Sequence, residues 1–169
     1  AILVGAPGEN NGSGGAHLFL PSGNSWEFSA HLTASNSDPG DRFGNAVALN
    51  KTRIFIAASK EDSHGKGLNR DMPNNSLQNS GAVYGFSTNE PGEIEEPWKE
   101  FVYIKAETPL EEAQFGYDIK FDGGNLIIGE PFRSNDNSLG QVSFYKLIDD
   151  QLHRRMLSSY ESIENTISI

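Results

Sequence analysis

The sequence predicts an all-β protein built from repeated units of four antiparallel strands. Three observations carry that expectation. Apolar runs are short, and Gly, Asn, Asp, Ser or Pro closes each of them, which is the pattern of strands and turns. Alternation with period two recurs, while helical spacing is scarce. The same segments also return in the same order along the chain, and such a repeat fixes the fold before any single element does.

The elements follow in order. "ILVGAP" (residues 2–7) is apolar throughout, as a strand buried on both faces would be, and is called strand B. Strand C starts at a glycine in "GAHLFL", from Gly15. Strand D is "WEFSAHL", from Trp26: Trp26, Phe28, Ala30 and Leu32 oppose Glu27, Ser29 and His31, so one face should be wet. The second unit adds a strand A at Phe43-Gly44, with Phe43, Val47 and Leu49 opposing Gly44, Ala46 and Ala48. "IFIAAS" (residues 54–59), "GAVYGF" from Gly81 and "WKEFVYIKA" from Trp98 then supply strands B, C and D. In the third unit, strand A is expected to put Phe115, Tyr117, Ile119 and Phe121 on one face; "LIIGEP" (residues 126–131) and "GQVSFY" from Gly140 follow as B and C. "QLHRRMLSSYESIENTI" (residues 151–167) has a weak helical trace, but its first half reads as strand D.

The expected organisation is one partial propeller over residues 1–169: an incomplete unit at 1–36, a second at 37–109 with a long B–C loop, and a third at 110–169. Four-stranded antiparallel units in tandem suggest propeller blades, which crowd toward a common axis. A β-sandwich would also show short alternating strands. In the propeller reading, Gly5, Ala6, Gly44, Gly116, Gly129, Ala57 and Ala58 let neighbouring backbones approach, and Phe43 and Phe115 fill the wider gap between sheets. Pro7 and Pro131, with no N–H for the ladder, end strand B. Three units do not close a ring, so further blades from the same or another chain are expected as partners, and an open edge at residues 2–7 would otherwise invite pairing.

"DRFGNAVAL" with "RIFIAAS", "AQFGYDIKF" with "LIIGEP", and "ILVGAP" resemble FG-GAP repeats, the blades of integrin α-subunit-like propellers, over nearly the whole chain to about Tyr145. The 60–86 segment is more similar to the bacterial branch. Ala57-Ala58-Ser59 and Gly129-Glu130-Pro131 depart from Gly-Ala-Pro but keep a small first residue. The resemblance implies an extracellular, cell-surface or secreted module that binds a protein or glycan. Its calcium loop is not carried over, because the A–B turns "NKT" and "DGG" have too few carboxylates. No cofactor is expected; residues 134–137 and 60–62 are the remaining places where oxygens could collect around calcium.

The net charge of -10 disfavours nucleic acid, and no apolar run approaches the roughly 20 residues of a membrane span. There is no cysteine, so disulfides and thiol chemistry are excluded. The four histidines, His17, His31, His64 and His153, show no metal-ligand spacing, and a zinc site is not expected. No nucleophile elbow or phosphate loop is present, so no catalytic residue is assigned and the protein is not expected to be an enzyme. Up-and-down blades place the B–C and D–A connections on one rim: residues 8–14, 35–41, 60–80, 107–113 and 132–139. Binding residues are disproportionately found on such loops. The longest carries Glu61, Asp62, His64, Arg70 and Asp71, the expected ligand-binding set; the alternative is that this loop packs on its own blade. Non-catalytic binding or adhesion is the leading expectation, with a building unit of a surface assembly or an accessory propeller of a secreted hydrolase or lyase as alternatives.

Overall fold

The computed structural model describes residues 1–69, 74–88, 98–133 and 140–155. It is all-β, with three antiparallel meander sheets. The first contains β1 (Ile2–Ala6), β2 (Gly15–Ser22) and β3 (Ser25–Leu32). The second contains β4 (Phe43–Leu49), β5 (Arg53–Ala58), β6 (Ala82–Ser87) and β7 (Lys99–Ile104). The third contains β8 (Asp118–Asp122), β9 (Asn125–Glu130), β10 (Gln141–Ile148) and β11 (Gln151–Arg155). The one helical turn among the described residues, Glu9–Gly12, holds Asn10 and Asn11 at φ of 48° and 61°.

The sheets stack face to face, as partial propeller blades do. Leu3, Ala16, Leu18 and Leu32 of the first sheet meet Phe43, Ile54, Ile56, Tyr84 and Tyr103 of the second. The opposite face of the second sheet, with Phe55, Ala57, Val83, Val102 and Ile104, meets Ile119, Phe121, Leu126, Ile128 and Tyr145 of the third. The central β5 is therefore buried on both faces from Ile54 onward. Its counterparts β1 and β9 are buried on one face only, leaving Ile2, Val4 and Ile127 exposed. Pro7 and Pro131 each follow the last residue of a strand, as expected.

The small inner residues are a steric requirement at the first junction. A Cβ on Gly5 would lie 1.9 Å from the Gly44 carbonyl oxygen, and one on Gly44 would lie 2.3 Å from the Gly15 oxygen. Gly44 and Gly116 also hold φ of +92° and +88°, which side chains rarely adopt. Gly129 differs from the expectation: a Cβ there would meet nothing closer than the Asp118 oxygen at 3.5 Å, because among the described residues no further sheet covers that face.

Bulges alter two of the expected faces, in β3 and at the start of the third unit, and a further bulge lies in β7. In β3 the register against β2 shifts between Leu18 and Phe19, leaving Ser29 unpaired, so Trp26 and Phe28 share a face with His31 while Ala30 and Leu32 turn to the core. β7 carries the same irregularity against β6 at Gly85/Phe86, with Phe101 as the extra residue. At the start of the third unit the Gly116 and Tyr117 N–H groups both reach the Gly129 oxygen, at 3.0 and 3.2 Å. Tyr117 is thereby turned outward onto Phe132 instead of joining Phe115, Ile119 and Phe121 in the core.

Phe43 is fully buried, edge-on to Tyr84 and Phe86 at ring-centroid distances of 5.4 and 6.2 Å. Phe43→Ala should therefore lower stability by about 3 to 5 kcal/mol, because the space between two stacked sheets closes only in part. Equilibrium denaturation measures this; a melting temperature within a degree of the unaltered chain's would contradict the wedge position.

Candidate functional site

The connections assigned to one rim are joined by hydrogen bonds. Arg42 and Phe43 N–H groups donate to the Gly12 and Ser13 oxygens at 2.9 and 3.0 Å, tying the 35–41 connection to the loop before β2. Asn36 Nδ2 reaches Glu61 Oε1 at 2.9 Å, and Asn75 Nδ2 reaches Asp38 Oδ2 at 2.9 Å. Asn79 Nδ2 meets the Glu112 carboxylate at 2.8 and 3.0 Å, and Arg133 donates to the Thr108 oxygen at 2.8 Å. The described parts of the B–C and D–A connections are thus linked into one polar surface.

Its longest loop is held down from inside. Glu61, 1% exposed, accepts from Lys105 Nζ at 2.8 Å and from the Ser63 N–H and hydroxyl at 3.1 and 2.9 Å. Lys105, itself fully buried, also donates to Ser80 Oγ at 2.6 Å; Ser63 bonds Tyr103, and the Tyr84 hydroxyl donates to Asn36 Oδ1 at 2.7 Å. Burial pulls the Lys105 ammonium below its ordinary pKa, with Glu61 opposing that shift. Farther along, the Leu68 bridge to Ile104 and the bonds Lys105 N–H to Gly67 O (2.9 Å) and Asn69 N–H to Tyr103 O (2.8 Å) lay the loop along the edge of β7.

Of the expected ligand-binding residues, Glu61 is therefore interior: its carboxylate holds the loop to its blade and is not presented to a partner. Asp62 is half-buried, with Oδ1 accepting the Asn79 N–H at 2.7 Å, which uses one of the oxygens considered for calcium. His64 is exposed and bonded through Nδ1 to Asn74 Oδ1 (2.7 Å) and Ser76 Oγ (2.9 Å), and Lys66 beside it is exposed as well. Arg70, Asp71 and residues 134–137 lie outside the described residues. Asn36, Lys105 and Tyr103 of the anchoring network were not singled out in sequence. A lysine within the apolar run "FVYIKA" was the available signal, since a cation there requires a buried counter-charge. His17 and His31, far apart in sequence, are direct cross-strand neighbours.

Asp41, 3% exposed, lies below the same loops and accepts the Asp38 N–H at 2.8 Å. Burial pushes its carboxyl up to about 7, the Asp38 N–H opposes, and the charges of Glu61, Asp38 and Asp62 add to the rise. Burial also raises Glu100 and Glu130.

Two predictions follow from these burials. Lys105→Met leaves the Glu61 carboxylate buried without its cation and should cost about 3 to 5 kcal/mol in a denaturant titration, with Glu61→Gln added to it restoring part of the loss. A folded-state pKa of about 7 for Asp41, against an ordinary 3.8, means the native chain binds more protons than the unfolded chain across that window. Stability should then fall as pH rises from 4 to 7, with Glu100 and Glu130 contributing the same sign. Asp41→Asn should flatten that slope; an unchanged profile would remove Asp41 as its source.

Compared with known proteins, residues 26–86 match the family model described as FG-GAP repeat, a stretch that begins in β3 and ends in β6. No curated protein matches the chain.

Proposed function

Since residues 26–86 carry an FG-GAP repeat, we propose that the protein is an extracellular or cell-surface binding and adhesion module that presents its rim to a protein or glycan without catalysing a reaction. The observation that carries this reading is the division of labour within the 60–80 loop. Glu61, Ser63 and Ser80 are buried anchors, whereas His64 and Lys66 stand exposed between buried Ser63, Gly65 and Gly67. A loop fixed from below loses little conformational freedom when its outer side chains meet a partner, so contact energy is retained. Among the described residues no helix is long and apolar enough to cross a membrane.

The outward sheet faces favour a second component of the reading. Ile2, Val4, Trp26 and Phe28 are exposed on the first sheet, and Tyr117, Ile127, Phe132 and Val142 on the third. Further blades, from this or another chain, are partners suited to these faces, and head-to-tail stacking of them would also serve a building unit of a surface assembly.

A panel of immobilised glycans and extracellular matrix proteins tests the reading. A bound member should be held about tenfold more weakly by His64→Ala/Lys66→Ala, roughly 1.4 kcal/mol, while the melting temperature stays unchanged. Retained affinity in that variant would place binding elsewhere. Sedimentation that grows with concentration, without any bound glycan or protein, would favour the assembly role instead.

A further inference from the structure

The first two sheets share one frame, and the frame shows where they differ in chemistry. Gly14 and Gly81 are equivalent: both precede a strand with φ of +86° and +82°, and their N–H groups bond the Glu9 and Glu61 oxygens at 3.1 and 2.9 Å. Counting from them, His17 faces His31 across β2 and β3 as Tyr84 faces Tyr103 across β6 and β7. Gly15 then corresponds to Ala82, and Thr33 to Lys105. Glu9 thus occupies the place of Glu61 with both tyrosines exchanged for histidine and the lysine for threonine.

The exchange changes what that place can hold. Glu61 has a buried ammonium as its counter-charge, whereas Glu9 meets two imidazoles. His17 Nε2 lies 2.6 Å from Glu9 Oε1 and His31 Nε2 lies 3.2 Å from Glu9 Oε2. The rings are stacked, with centroids 4.6 Å apart and planes 16° from parallel, and one ligand atom from each of the three residues lies within 4.8 Å of the others. All three are partly open to solvent, with side-chain exposures of 29% to 37%. We propose that Glu9, His17 and His31 form a divalent transition-metal site, for zinc, at the rim of the first sheet.

Tetrahedral zinc with bonds of about 2.0 to 2.2 Å needs ligand atoms roughly 3.3 Å apart, so the Glu9–His17 contact at 2.6 Å must open by less than about 1 Å and the widest pair of ligand atoms, within 4.8 Å, must close by up to about 1.5 Å. Two imidazoles with one carboxylate suit zinc over calcium, which takes six or more oxygens. The fourth position is left to water. Gly15 supplies the room: a Cβ at this residue would lie 2.5 Å from His31 Nε2 and 2.6 Å from Glu9 Oε2. Its backbone is not in the left-handed region, so the glycine is not required by its φ. The equivalent Ala82 belongs to the unit that keeps the closed network.

Titration of the purified 169-residue chain with zinc chloride, in buffer free of chelators, tests the site. One saturable equivalent is expected, with calcium chloride at the same concentration failing to displace it. His31→Gln and Gly15→Ala should each weaken zinc at least tenfold, the second without removing a ligand, and His64→Gln/His153→Gln should leave it unchanged. Absence of saturable binding, or affinity kept within twofold by both of the first two variants, would overturn the proposal. Nitrogen NMR of the unaltered chain gives a readout independent of how any variant folds: zinc should shift the imidazole nitrogens of His17 and His31, and shifts confined to His64 and His153 would equally overturn it.

Discussion

The structure depends on one close crossing of backbones, repeated between successive sheets. At the first junction the Phe43 N–H donates to the Ser13 oxygen at 3.0 Å; at the second, Phe115 donates to Ser80 at 2.9 Å. Cβ atoms on Gly14 or Gly81 would fall 2.1 or 2.2 Å from the Phe43 or Phe115 oxygens, so neither position tolerates a side chain. The residues before the phenylalanines, Arg42 and Gln114, are held at φ of 60° and 54°. Left-handed backbone costs a non-glycine residue about 1 to 2 kcal/mol, a local penalty offset by burial of the phenylalanine that follows. Phe-Gly is thus a single device: an aromatic that fills the space between sheets and a glycine that lets the chain leave it.

That crossing also organises the polar chemistry. Because Gly14 and Gly81 sit at fixed points, the carbonyls they bond, Glu9 and Glu61, are placed identically and their carboxylates point into the same part of each unit. What covers that part decides its chemistry. In the second unit Asn36, arriving from the first, seals Glu61, and a carboxylate sealed from water needs Lys105 to be tolerable. In the first unit imidazoles partner the carboxylate instead. Asn45 adds a side-chain tie in the other direction, bonding the Gly116 and Tyr117 oxygens at 3.1 Å each and the Ser59 N–H at 2.7 Å.

Much of this frame was legible in the sequence, and what was not has a common cause. Strand order and the ends of strand B at Pro7 and Pro131 follow from composition and period, and the strand nature of residues 151–155 follows by analogy with the repeat, against a weak helical trace. The small residues at Gly5, Gly44 and Gly116 follow from the crowding of repeated sheets. The two-residue irregularity at Phe43/Ala46 keeps Phe43, Val47 and Leu49 on one face and Ala46 and Ala48 on the other. Side-chain direction fails where a bulge leaves one residue unpaired, since that inverts every face beyond it. Ser29 does this in β3, which is why His31 was assigned opposite Trp26 and Phe28 yet lies beside them and across from His17. Strand C was likewise aligned on Gly15 with Gly81, although the residue that makes the crossing is Gly14. A glycine pair hides which member bears the constraint until φ distinguishes them.

The same logic explains why the rim loop reads ambiguously. Its charged residues look alike as letters, but β6 and β7 divide them by depth: Glu61 falls over the buried Lys105 and Tyr103, while His64, three residues on, is directed to solvent. Buried Ser63, Gly65 and Gly67 alternate with exposed His64 and Lys66 in a strand-like period that leads into the pairing of residues 67–69 with the edge of β7. Anchoring and presentation therefore belong to one segment, and the two possibilities for the loop, packing on its blade or facing a partner, are two sides of the same run of residues. A loop built this way can vary its outer side chains while the buried ones keep its course, because the residues that fix the path are not those that meet solvent.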